Sequence, residues 1–192
     1  MKVFDTLYTL CLKWAQHKHA EKYLAGLSCS ESMFFPIPPD VMLAPMALSQ
    51  PEKAWRFALV TTVASVIGGI LGYILGYFAF ESFIQPLVVE MGYQSKLNQA
   101  SLWFEEYGVW VVFLAGFSPI PYKVFTISAG FLQMAILPFI VASAIGRGLR
   151  FFLVAALMKY GGPMMEAKLR KYIEVIGWGT VAAAVVLYLI FR

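Results

Sequence analysis

Proline interrupts the most apolar parts of this chain twice, in nearly the same pattern. Residues 34–41 read Phe34-Phe35-Pro36-Ile37-Pro38-Pro39-Asp40-Val41, and residues 117–124 read Phe117-Ser118-Pro119-Ile120-Pro121-Tyr122-Lys123-Val124. A shift of 83 positions, with no gap, lays Phe34, Pro36, Ile37, Pro38, Val41 and Gln50 on Phe117, Pro119, Ile120, Pro121, Val124 and Gln133. Proline lacks a backbone donor and breaks a helix at a cost of about 3 kcal/mol. In hydrocarbon, such a break survives only where protein or a water-filled cavity satisfies the freed groups. Two matching breaks in two halves of a chain point to the binding site of a transporter built from repeats.

The hydrocarbon setting rests on composition. Of 192 residues, 60% are hydrophobic and only 14% charged, with a mean hydropathy of +0.70. That balance excludes an ordinary soluble domain. Residues 1–22 carry Phe4, Leu7, Cys11 and Trp14 on one helical face beside several lysines, which predicts an amphipathic N-terminal helix at the headgroups. Between Tyr23 and Pro51 the only charges are Glu31 and Asp40, and Pro36, Pro38, Pro39 and Pro45 break the stretch into a hairpin. Phe57 to Phe80 is a charge-free span. Its Gly68, Gly72 and Gly76, at four-residue spacing, offer a small face for helix packing. Residues 81–106 form a polar external segment with a short amphipathic helix. Val109–Phe131 is a second broken hairpin, with Gly130 expected to make its turn, and Ile136–Met158 a second span. Residues 159–192 hold a basic segment and a last span, Val175–Phe191.

The expected architecture is one all-α integral membrane domain. Repeat 1 covers 23–80 and repeat 2 covers 107–158, each a broken re-entrant hairpin followed by a transmembrane helix. Lysine and arginine collect in the N-terminal arm, at 52–56 and at 159–171, whereas 81–106 has a single lysine. The first group belongs in the cytoplasm and the second outside. One span separates the hairpins, so they open to opposite faces as an inverted repeat.

Five ionisable residues fall at membrane depth: Glu31, Asp40, Lys123, Arg147 and Arg150. Each costs on the order of 2.5–3.5 kcal/mol to insert, so such residues face a cavity or one another. They are the candidate substrate-binding and transport residues. Asp40 and Lys123 hold the same repeat position with opposite sign, so an ion pair tying the hairpins together is the structural alternative. Ala64–Gly72 resembles Ala142–Arg150 at a shift of 78, which places Arg147 and Arg150 where the first repeat has Gly69 and Gly72. The glycines are expected to make room for the guanidinium groups, and the arginines to point toward the first repeat. An arginine fork suits phosphate, and a buried carboxylate can carry a proton. No catalytic motif is present, so an enzyme is not expected. Cys11 and Cys29 form no framework, and His17 and His19 read as a solvated patch. No metal or cofactor is expected.

Glu31, the run Pro36 to Asp40, Gly68 to Gly76, the run Phe117 to Lys123, and Ala129-Gly130 together resemble the DedA family, also called the VTT or SNARE-associated domain. The nearest match is its small YqaA-like branch. The resemblance covers roughly residues 20–160. It implies two re-entrant hairpins facing each other in an inner-membrane, multi-pass transporter. It also implies movement of lipids such as undecaprenyl phosphate or phospholipids, with proton coupling, and scramblase behaviour in eukaryotic relatives. Glu31 and Asp40 match the family's acidic pair, and Lys123 stands near an arginine of the family. Pro39 replaces a glycine, and Gly116 lies near an expected arginine. The leading expectation is therefore a lipid transporter in which Lys123, Arg147 and Arg150 hold a phosphate headgroup and Glu31 or Asp40 exchanges a proton. The alternatives are a proton-coupled transporter of a small solute and a non-transporting membrane scaffold or assembly factor. Membrane lipid is the expected partner, protons and a second copy of the chain are compatible ones, and nothing points to nucleic acid.

Overall fold

A computed structural model describes residues 17, 19–35, 37–80, 94–118 and 121–162. The expected N-terminal amphipathic helix up to residue 16, the last span at 175–191, and Pro36 and Pro119 lie outside these described residues. Among the described residues the fold is all-helical. The helices are α1 (Ala20–Met33), α2 (Asp40–Ser49), α3 (Ala54–Ala79), α4 (Gln94–Phe117), α5 (Tyr122–Phe131) and α6 (Ile136–Gly162). A 3-10 turn, Pro51–Lys53, leads into α3.

The proline motifs stop one helix and start the next. Pro39 and Pro121 sit at the N-caps of α2 and α5. There the missing donor falls where a helix has no acceptor to offer. Helices α1 and α2 have 14 and 10 residues, or about 21 and 15 Å at 1.5 Å per residue. Neither reaches across a hydrocarbon core of about 30 Å. By contrast, Pro51–Ala79 and Ile136–Gly162 are long and apolar enough to cross a membrane. The outer face of α3 carries Leu59, Val63, Ile67, Leu71 and Leu75, all exposed. An aqueous surface helix would carry polar groups at those positions.

Side-chain bonds give the direction of each helix. Arg56 pairs with Glu21 at 2.8 Å, Ser28 Oγ donates to the Thr61 carbonyl at 2.8 Å, and Ser32 and Ser65 hydroxyls meet at 2.8 Å. Thus α1 climbs along the first half of α3, and α2 returns to where α3 begins. Along the second half of α3, Gly69 faces Tyr122, Gly72 faces Thr126, Gly76 faces Ile127, and Phe80 meets Phe131 edge-on. Helix α5 therefore climbs α3 away from Ala54. Helix α6 comes back past α4, with Gly146 under the Phe113 carbonyl, until Phe152 stacks on Trp55. The α1–α2 pair opens toward the Ala54 end and the α4–α5 pair toward the Phe80 end.

Each pair has its own apolar cluster. Leu24, Met42, Leu43, Phe57 and Phe151 pack at one end; Tyr73, Phe104, Val112, Met134 and Phe139 pack at the other. The glycines permit the close approach. A Cβ on Gly68 or Gly76 would lie 2.1 Å from the carbonyl oxygen of Cys29 or Ile127, and one on Gly72 2.6 Å from Thr126 Oγ1.

Three expectations change. Gly130 does not make a turn: it is helical, and a Cβ there would lie 1.9 Å from the Tyr73 carbonyl oxygen. The chain reverses just beyond it, where Gln133 takes a φ of 55°. Gly69 and Gly72 make room for Tyr122 and Thr126 rather than for guanidinium groups, because α5 packs on that face of α3. Residues 94–106, set apart above as an external segment, are continuous with α4.

Candidate functional site

The buried polar residues among those described are Ser28, Glu31, Ser32, Thr61, Thr62, Ser65, Thr126, Ser143 and Arg147. They gather between the two apolar clusters. Ser65 lies about three turns into α3 and Arg147 about three turns into α6 from the opposite end, each roughly 16 Å deep at 1.5 Å per residue. The two touch: Arg147 Nε donates to Ser65 Oγ at 2.5 Å. A polar layer therefore sits at mid-height of both long helices.

Its centre is an ion pair. Arg147 Nη2 donates to Glu31 Oε2 at 2.5 Å, and the two side chains are 2% and 10% exposed. Rings cover the guanidinium: its carbon lies 4.8 Å from the Tyr122 centroid and 4.6 Å from that of Phe151. Such contacts strengthen when water is excluded. Tyr122 is itself fully buried and donates from its hydroxyl to Ser143 Oγ. Ser32 Oγ bridges toward Ser65 and Glu31, so the layer joins α1, α3, α5 and α6. The arginines do point toward the first half, as expected.

A second pair lies nearer the surface. Arg150 donates to Asp40 Oδ2 from Nη2 and to the Ser118 carbonyl from Nη1. It thereby ties the start of α2 to the end of α4. The side chains are 17% and 22% exposed. The other carboxylate oxygen, Asp40 Oδ1, is buried with no hydrogen-bond partner among the described residues. Asp40 therefore pairs with Arg150 and not with Lys123, the partner that repeat position suggested. Lys123 Nζ instead donates to the carbonyls of Phe34 and Phe35, at 3.2 and 3.5 Å. All five candidate charges fall in this one region.

Comparison with known proteins decides the family. A model of the VTT domain matches residues 37–160, well over half of the chain. The chain belongs to the VTT-domain (DedA) family. It is 50% identical to an uncharacterized protein of Haemophilus influenzae and 51% identical to one of Histophilus somni, each over the full length of both chains. It is 32% identical over 93 residues, 46% of each chain, to undecaprenyl phosphate transporter A of Staphylococcus aureus. No solved structure matches. As a VTT-domain chain with two helices fit to cross a bilayer, this is a membrane protein.

The VTT match contains Asp40, Lys123, Arg147 and Arg150; Glu31 lies just before it. Sequence reasoning did not single out Ser32, Ser65, Tyr122, Thr126 or Ser143 as site residues. One signal was available for two of them: Ser65 and Ser143 occupy the same place in the segments related by a shift of 78.

Proposed function

We propose that this VTT-domain protein moves a phosphate-bearing lipid, a phospholipid or a polyprenyl phosphate, across the inner membrane. The observation that carries the reading is the charged layer at mid-height of α3 and α6, with Asp40, paired to Arg150, at the start of α2 and Lys123 in the first turn of α5. Ends of α1–α2 and α4–α5 that face opposite ways support two re-entrant hairpins in an inverted repeat, and hence a multi-pass protein. Helices α2 and α5 both begin in this layer. Half-helix N-termini carry partial positive charge and suit an anionic headgroup. In this reading the layer draws in the headgroup, with Lys123 as its ligand beside the Arg150–Asp40 pair, while the acyl tail stays in hydrocarbon. Arg147, sealed against Glu31, holds the layer together. Asp40 is the residue of proton exchange, its Oδ1 accepting no hydrogen bond from the described residues. The name of the Staphylococcus aureus relative supports a lipid phosphate as cargo. Lipid flipping or scrambling needs no enzyme chemistry.

The sealed Glu31–Arg147 pair favours a second reading, a scaffold with a dry, fully paired core. Lys123 speaks against it, having among the described residues neutral carbonyls in place of a carboxylate. The deciding measurement is headgroup accessibility in liposomes holding the purified protein. The transport reading expects labelled phospholipid in the inner leaflet to become accessible to an external quencher. Liposomes that stay as impermeable as protein-free ones would leave the scaffold. In the same assay Asp40→Asn should lose most of the translocation while melting within a few degrees of the parent, because its pair is about a fifth exposed and the amide can still accept from Arg150. An Asp40→Asn variant that translocates normally removes Asp40 from the pathway.

Topology has a separate check. With both native cysteines replaced by serine, a cysteine at Lys96 should react with an impermeant reagent from outside the cell only. Reaction from the cytoplasm alone would overturn the orientation.

A further inference from the structure

Among the described residues the layer holds three cations and two carboxylates, and the two ion pairs use up all but one cation. Lys123 is the remainder. Among the described residues its ammonium group has no carboxylate in ion-pair range, only the carbonyls of Phe34 and Phe35. Phe34 is the C-cap of α1. The last carbonyls of a helix have no partner within it, and a cation is favoured there by the helix dipole. Lys123 therefore caps α1 from almost ninety residues away and also carries the one charge of the layer that has no ion-pair partner among the described residues.

Those two roles compete. An ammonium group gains the attraction of a full opposite charge at an ionised oxygen, which a neutral carbonyl does not offer. An anion that reaches Lys123 takes it from α1. The way in is open: Lys123 is partly exposed and Phe34 is 66% exposed. The arginines are engaged elsewhere, Arg147 with Glu31 and Ser65 between two rings, Arg150 with Asp40 and Ser118. Charge count then sets the kind of headgroup. With Asp40 ionised, a phosphodiester with one negative charge balances the charges of the described residues in the layer. A phosphomonoester, at about −1.5 to −2, leaves net negative charge at a depth where unbalanced charge is expensive.

Resting on the lipid-transport reading above, we propose that Lys123 is the lipid-phosphate contact of this protein. The layer selects singly charged phosphodiesters over phosphomonoesters, and headgroup binding uncaps the C-terminal end of α1.

The test reads α1 directly and does not require transport. The full chain, with Cys11→Ser, Cys29→Ser and Phe34→Cys, is placed in phosphatidylcholine vesicles alone, or with phosphatidylglycerol or phosphatidic acid added. Thiol labelling at position 34 is then timed. Phosphatidylglycerol should speed labelling several-fold, and phosphatidic acid distinctly less. With Lys123→Met, labelling should be fast throughout and indifferent to anionic lipid; Lys123→Arg keeps the charge and should keep the response. Labelling that ignores phosphatidylglycerol with Lys123 present overturns the proposal, as does a response that survives Lys123→Met or is lost in Lys123→Arg. Equal or greater response to phosphatidic acid overturns the charge selection. A parent protein that shows the labelling response and moves no lipid would sink the transport reading instead and leave the headgroup site standing.

Discussion

Glu31→Ala should be among the most destabilising single changes in the chain. It leaves the Arg147 guanidinium 2% exposed with no counter-charge. Removing one partner of a buried ion pair costs about 3–5 kcal/mol, because the survivor remains desolvated. The check is unfolding in mild detergent by heat or by titrated denaturing detergent. Arg147→Met combined with Glu31→Ala should recover much of the loss, since neither charge is then stranded. Asp40→Ala, whose pair with Arg150 is roughly a fifth exposed on each side, should cost about 1 kcal/mol, nearer the range of solvated pairs. Equal losses from Glu31→Ala and Asp40→Ala would show that the inner pair is not sealed from water.

Gly130→Ala should be comparably severe for a steric reason. The added carbon would lie 1.9 Å from the Tyr73 carbonyl oxygen. That oxygen belongs to the backbone of a long helix, so no rotamer change relieves the overlap and α5 must lift off α3. Overpacking a tight contact costs about 1–3 kcal/mol or more. Gly68→Ala and Gly76→Ala meet backbone at 2.1 Å and should behave alike. Gly26→Ala is the control: a Cβ there has nothing within 4 Å, and alanine is the better helix former by about 1 kcal/mol. Its melting temperature should match or exceed that of the parent. A Gly130→Ala protein that melts with the parent would mean that α5 does not lie against α3 as described.

Much of this arrangement can be read from residue order. Proline marks both helix breaks, since a residue without a donor imposes the same local break in any surroundings. A charge-free run from Phe57 marks α3, and a long apolar run interrupted by Arg147 and Arg150 marks α6. The five ionisable residues declare themselves because hydrocarbon makes each of them costly. Their pairing does not follow from order. Asp40 and Lys123 correspond by repeat position, yet α6 passes close enough to hairpin α1–α2 for Arg150 to reach Asp40. Correspondence between repeats is a relation of symmetry, and contact is a relation of distance. Hydroxyls are harder still. Thr61 and Thr62 return their hydroxyls to the carbonyls of Phe57 and Ala58 in their own helix, the usual fate of such residues. Nothing local separates them from Ser65, which meets Arg147 and Ser32 only because two other helices come within reach. Gly130 was open to misreading because glycine serves turns and close approaches equally well.

Both acids of the layer, Glu31 and Asp40, come from the first half of the chain, and all three cations, Lys123, Arg147 and Arg150, from the second. Such a division of labour forbids self-pairing. Two copies of the first half brought together would set carboxylate against carboxylate in hydrocarbon, and two copies of the second would set ammonium and guanidinium groups against their like. Each half is soluble in the membrane only as the complement of the other. If the two arose as copies of one unit, their divergence in charge has made the fusion obligatory: what began as a symmetric partnership has become a lock and its key on a single chain.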